Sequence, residues 1–374
     1  MNRKDFFKGL AVGTVALPIA IRSISGDLNA QQNNASTASI SGQVHRWKMV
    51  TTWPPNFPVL GEGCKLFADL VQQMSNGRIQ IKVFGGGELV PPLECFDAVR
   101  SGAADLAHGC AYYWAGKVPA AQFFASVPFG MNAQQMNGWI LNGDGWKLWR
   151  ELYAEYNLVP FPAGNTGVQM GGWFNRKIDS LADMQGLKMR MPGLGSKVLE
   201  RAGATPVLLA GSEIYTGLER GVIDATEWIG PYHDYKMGFH QIAKYYYTPG
   251  WHEPGTMLEI FINKDKYEAL SPDLQAIVRT ASLWVNSWML GEGERRNAEY
   301  LQVLKAETEV EILRFPQAVL EQLRTYTHEV LEEMVADDPT AKKVYASFQA
   351  YRQQISAWAA LTEQVFYQDI QELS

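Results

Sequence analysis

The apolar positions of this chain change period several times, and the changes mark out its elements. His45–Thr52 reads as a strand and runs into a loop, Trp53–Pro58, that holds three prolines. From Gly61 to Ser75 the residues Leu66, Phe67, Leu70, Val71 and Met74 recur at helical spacing, and Asn76-Gly77 stops them. Ile79–Phe84 alternates as a strand and enters a glycine turn, Gly85–Gly87. Leu93–Ser101 reads as a short helix and Ala104–Cys110 as a third strand. This order predicts a parallel sheet flanked by helices.

The order then repeats. Val168–Phe174, Leu187–Met191, Thr205–Leu209 and Asp224–Trp228 read as strands, with helices at Gly195–Ala202 and Ser212–Arg220 between them. Two α/β units in tandem predict two lobes around a cleft, the first from residues 44–166 and 230–271, the second from 167–229 and 272–340. The chain would cross between them near Asn165 and again near Ile229. Ser271-Pro272-Asp273 is a good helix start. The helix it opens runs to Val303 and is long enough to lie against both lobes. Pro316–Val335 and Thr340–Glu372 add more helix. The extension 341–374 carries an apolar stripe from Val344 through Phe348, Tyr351, Ile355 and Trp358 to Ile370. Such a stripe needs a cover, either its own domain or a second copy of the chain.

Composition narrows the class. An apolar content of 47% suffices for real cores, and a net charge of −6 without a basic stripe excludes nucleic acid as a partner. Cys64, Cys95 and Cys110 lack zinc-site spacing and read as buried thiols, with one disulfide left open. Residues 1–30 read as an export signal, with basic Arg3, Lys4 and Lys8 before the apolar stretch Leu10–Ile21, and 31–43 reads as a flexible tether. The start resembles a twin-arginine signal with lysine replacing the second arginine. The mature chain is expected in the periplasm. No HExxH, GxSxG or P-loop pattern occurs, so nothing in the sequence supports catalysis.

The run Ile178–Arg190 (IDSLADMQGLKMR), the segment Ile223–Trp228 (IDATEW) and Leu89-Val90-Pro91 before a helix resemble the solute receptors of TRAP transporters. Gly164–Phe174 (GNTGVQMGGWF), the tract Tyr245–Trp251 and the extended C-terminus resemble the receptors for 2-oxo monocarboxylates such as pyruvate. The resemblance implies two α/β lobes that close on a ligand and deliver it to membrane permease subunits. It implies Arg190 as the residue that binds the ligand carboxylate. It implies a sodium ion held by Gln169, Glu227 and the backbone carbonyl of Trp228, and a homodimer that exchanges its C-terminal helix.

The residues themselves support and qualify this. Arg190 ends an otherwise apolar strand, and its planar fork matches a carboxylate. A structural ion pair to a lobe residue such as Glu200 is the alternative. Gln169 and Glu227 offer hard oxygen donors suited to Na⁺, Ca²⁺ or Mg²⁺. A buried glutamate needs a cation, and Arg190 itself can be that cation. Glu253 can complete a metal shell, and a second carboxylate favours a divalent ion. Tyr112, Tyr113 and Trp114 follow the third strand, where open α/β sheets bind ligands. Trp114 fits hinge packing better. Asn165 either donates to the ligand or shapes the crossover turn. Trp173 and Trp228 are expected to wall the cavity. Two other readings stay open. One is a receptor for lactate or another 2-hydroxy acid with Ca²⁺. The other is an exported metal-dependent lyase with Glu227 as base.

Overall fold

The structure is a computed structural model and describes residues 43–371. The export signal, nearly all of the tether and the last three residues of the C-terminal extension lie outside the described residues. Among the described residues, no helix is long and apolar enough to cross a membrane.

Among the described residues, eleven strands form two sheets. They are β1 His45–Thr51, β2 Ile79–Phe84, β3 Leu106–Gly109, β4 Leu158–Asn165, β5 Gly172–Phe174, β6 Lys188–Arg190, β7 Thr205–Val207, β8 Ala225–Thr226, β9 Tyr245–Thr248, β10 Met257–Asn263 and β11 Glu311–Arg314. The first sheet has the order β2-β1-β3-β10-β4 and the second β11-β9-β5-β8-β6-β7. Within the first, β1, β2 and β3 are parallel, as the strand-helix alternation predicts, while β10 runs antiparallel to both of its neighbours.

The sequence reading misses β4 because Pro160 and Pro162 sit inside it. A proline removes a ladder hydrogen bond and is confined to sheet edges. β4 is such an edge strand, paired only with β10. The two helices before it, Ala133–Asn142 and Gly145–Ala154, are also absent from the sequence reading. They clamp Phe124 between Trp139 and Trp149, at ring separations of 5.5 and 5.3 Å and nearly parallel.

One strand sits in a different sheet from that expected. The sequence places residues 230–271 in the first lobe, yet β9 pairs with Gly172–Phe174 in the second sheet. The chain therefore returns to the first sheet between Thr248 and Met257, not near Ile229. The expected strand Val168–Phe174 is also shorter, because Val168–Gly171 spends its backbone on other crossing segments. Gln169 donates to the Glu253 carbonyl (3.2 Å), Met170 to that of Ile229 (2.9 Å) and Gly171 to that of Tyr247 (2.6 Å). Gly250 in turn donates to the Gln169 carbonyl at 2.9 Å. A Cβ on Gly250 would stand 2.2 Å from that same oxygen, so only glycine lets the two crossings touch.

The long helix is observed as Pro272–Glu307, 36 residues. Its Asn286 accepts from the Gly164 backbone at 3.1 Å, and its Asn297 accepts from Tyr232 at 3.1 Å, so one helix is tied to the end of β4 and to the helix Pro231–Lys236. The next helix is Gln317–Asp337. The last long helix, Pro339–Ala359, packs on its own chain: Tyr345 stacks on Phe123 and Phe348 meets Trp139 edge-on. Beyond it the apolar stripe is uncovered, with Trp358, Leu361, Tyr367 and Ile370 exposed.

Candidate functional site

The register of β6 against β8 builds the site. Arg190 pairs with Thr226, which puts Glu227 beside Arg190 one residue past the strand end. β6 lies inside the sheet, so both side chains are buried, 1% and 0% exposed. Arg190 Nη1 forms an ion pair with Glu227 Oε1. Its Nε donates to the Leu209 carbonyl (3.3 Å) and its Nη2 to the Tyr113 hydroxyl (3.4 Å). The guanidinium also lies 5.1 Å from the Trp228 ring. Burial works against its charge, but Glu227, Tyr113, Tyr112 and Glu253 together outweigh that, so its pKa is pushed up and the charge is kept.

The segment Trp251–Thr256 brings a second carboxylate to the same place. Glu253 Oε2 accepts from Thr256 Oγ1 (2.5 Å), Gln169 Nε2 (2.8 Å) and the Tyr112 hydroxyl (3.4 Å). Burial, and then the charge of Glu227, lift its pKa to about 7. His252 completes the group, with Nε2 3.5 Å from Glu227 Oε2. Ligand atoms of Glu227, His252 and Glu253 all lie within 4.8 Å of one another.

Five buried polar atoms here have no hydrogen-bond partner among the described residues: Gln169 Oε1, Glu227 Oε2, Trp228 Nε1 and both ring nitrogens of His252. A buried orphan polar atom costs about 1–3 kcal/mol. Oxygen acceptors orphaned beside two carboxylates and one guanidinium fit a hard cation. Arg190, Gln169, Trp228, Tyr112, Tyr113 and Trp53 line one cavity. Measured by where the centre of a water molecule fits, it holds about 10 Å³, the room of roughly one water. The walls come from both sheets, so the cleft is shut.

Of the residues singled out in the sequence, Arg190, Gln169, Glu227, Trp228, Tyr112 and Glu253 meet here. Arg190 pairs with Glu227 and not with Glu200. Asn165 stays out: its Oδ1 accepts from Gly167 (2.9 Å) and its Nδ2 donates to the Gly255 carbonyl (3.3 Å), so it shapes the crossover turn. Trp173 does not wall the cavity. It stacks on Tyr246 at 4.1 Å and donates to Asp234 Oδ2 at 2.9 Å, inside the second lobe. Trp114 donates to Glu259 at 2.7 Å and packs as expected of a structural residue. His252 and Trp53 escaped the sequence reading. His252 adjoins Glu253, but no metal-site spacing in the sequence marks it. Trp53 sits in the proline loop, where nothing marks a wall residue.

Comparison with known proteins places this arrangement in a class. Residues 49–338 match the model of the bacterial extracellular solute-binding proteins, family 7, and the chain belongs to that family. A monocarboxylate 2-oxoacid-binding periplasmic protein of a Nostoc species is 38% identical over 97% of this chain and 97% of its own length. The crystal structure of a TRAP periplasmic solute-binding protein from Pseudoalteromonas atlantica, with bound sodium and pyruvate, is 40% identical, with a TM-score of 0.86 over 88% of this chain and 100% of its own. A TRAP solute-binding protein from Bordetella bronchiseptica, a mixed-occupancy dimer with copurified calcium and picolinate, is 35% identical, with a TM-score of 0.86 over 87% of this chain and 97% of its own. The two-lobed fold is that of these receptors. The chain is a solute-binding receptor, and the lyase reading of Glu227 is set aside.

Proposed function

We propose that this receptor captures short 2-oxo monocarboxylates of the pyruvate type together with a cation, and hands them to TRAP permease subunits in the membrane. The observation that carries this is the buried Arg190–Glu227 pair, with Gln169 Oε1 and Glu227 Oε2 left without partners, at a small cavity that Arg190 and Gln169 both line. Pyruvate and picolinate, the ligands of two relatives, share a carboxylate with an acceptor atom on the adjacent carbon. An arginine for the carboxylate and a cation for both acceptors answer that pattern.

Arg190 takes the carboxylate. Its Nε and Nη1 are held by the Leu209 carbonyl and Glu227, so the fork meets the ligand already oriented, and Tyr113 marks the side turned to the cavity. Gln169, Glu227 and the Trp228 carbonyl would hold the cation, with Glu253 beside them. The cation supplies the positive charge that two carboxylates and a captured anion lack against one guanidinium. Sodium balances the site when Glu253 keeps its proton, and calcium when it does not. Trp53, Tyr112 and Trp228 leave no room for a long chain. Binding joins the two walls, so the ligand favours the shut form by its differential affinity. The exposed stripe Trp358–Ile370 is the surface by which two copies would associate.

Calorimetric titration of pyruvate, with and without Na⁺ or Ca²⁺, tests the reading. Micromolar or tighter binding that depends on the cation and vanishes in Arg190→Ala is expected. Wild-type affinity retained in Arg190→Ala would refute it.

A further inference from the structure

On the outer side of the crossing segments lies a groove of about 330 Å³ that shares no lining residue with the ligand cavity. Phe129 and Trp251 form its floor, stacked with centres 5.7 Å apart. Pro249, Pro254 and Leu320 wall it, and Val168, 58% exposed, stands at its rim. Phe129 has φ 53°, a conformation that bulky residues avoid, and its N–H donates to the Trp251 carbonyl at 2.7 Å. Backbone strain of this kind persists where surroundings enforce it, and it gathers at ligand clamps.

The charges at this groove are one-sided. Arg314 and Arg324 both line it, and the Arg324 guanidinium lies 4.4 Å from the Phe129 ring centre. Neither arginine forms an ion pair among the described residues. Glu321 also lines the groove, and Gln317 Nε2 donates to it at 3.0 Å. Two guanidinium groups and one carboxylate therefore stand at an aromatic floor.

We propose that this groove is a second binding site, for a flat organic carboxylate whose apolar body lies on Phe129 and Trp251 and whose charge is taken by Arg314 and Arg324. Arginine forks match carboxylates, and aromatic floors accept flat rings. The inference stands apart from the ligand assigned to the cleft.

Benzoate is a suitable probe. It is titrated into Arg190→Ala, in which the cleft is disabled, and into wild type saturated with pyruvate, with saturation-transfer NMR and tryptophan fluorescence as readouts. The wild-type arm covers the case in which Arg190→Ala misfolds. Benzoate is expected to bind in both arms, at least tenfold more weakly once Arg324→Ala is added, and neutral benzamide at least tenfold more weakly than benzoate. Absence of benzoate binding in both arms, or binding indifferent to Arg324→Ala or to the probe's charge, overturns the proposal. A groove covered by a second copy would show benzoate binding that falls as sedimentation reports self-association, and that too overturns it. If wild type binds no pyruvate, the cleft assignment fails while the Arg190→Ala arm still decides this one.

Discussion

Phe57 stands edge-on to Trp228, ring centres 5.9 Å apart and planes at 88°. The two rings come from different lobes. Phe57 lies in the proline loop after β1, and Trp228 follows β8. The other flank of Phe57 stacks on His233 at 5.6 Å. Asn56 and Val59, on either side, are held at φ 56° and 57°, and for a β-branched valine that is strained. The loop thus spends conformational energy to press one ring against the wall of the ligand cavity.

An aromatic pair of this geometry contributes about 0.5–1.5 kcal/mol beyond its buried area. Because the contact joins the lobes, Phe57→Ala should speed ligand release up to about tenfold and leave association almost unchanged. Stopped-flow tryptophan fluorescence reads both rates. An unchanged release rate alongside a lowered Tm would mean that Phe57 serves only the fold.

Arg190→Lys separates shape from charge. Lysine keeps a cation beside Glu227 and loses the planar fork. We expect a loss of about 2–3 kcal/mol in ligand binding with a smaller loss in stability, measured by calorimetry and thermal unfolding. Arg190→Ala should also destabilise the fold by about 3–5 kcal/mol, because it leaves Glu227 buried without its partner. A lysine variant that binds at wild-type strength would show that the fork is not used.

Glu253→Gln removes one negative charge from the site and retains an oxygen for Thr256. The variant should favour Na⁺ over Ca²⁺ relative to wild type, read as the ratio of ligand Kd values in the two salts. An unaltered ratio would place Glu253 outside the cation's reach.

Glu259 makes the pH dependence of stability testable away from the site. Its Oε1 accepts from Trp114 (2.7 Å) and Tyr153 (2.9 Å), and burial lifts its pKa from 4.5 to about 8. The folded state therefore holds this proton between about pH 4.5 and 8, while the unfolded chain releases it. Its contribution is fully present below about 4.5 and is lost as pH rises through 8. Asp234, lifted by burial to about 7, acts in the same sense. Glu259→Gln should flatten the decline by on the order of a few kcal/mol, seen in urea melts at pH 5 and pH 8. Parallel curves for variant and wild type would contradict this.

The candidate site is legible chiefly through the family resemblance, which points to Arg190, Gln169, Glu227 and Trp228. A charged group ending an apolar strand, as Arg190 does, or following Ala225-Thr226, as Glu227 does, agrees with it but is equally met by a structural ion pair. Local pattern fails where the environment is set from a distance. The prolines of β4 argue against a strand unless its edge position is known. β9 looks like any aromatic strand, and only its pairing with Gly172–Phe174 assigns it to the second sheet. Asn165 and Trp173 are polar and aromatic in the right neighbourhood, but nearby backbone and Asp234 claim their side chains first.

The junction where Gln169 and Met170 donate backbone hydrogen bonds to the carbonyls of Glu253 and Ile229 is also where the candidate cation and carboxylate groups converge. A receptor built this way would sense its cargo at the fulcrum. A small displacement there would be magnified by the lever arm at the distant tips of the lobes, and a partner touching those tips would read the bound state without touching the cargo.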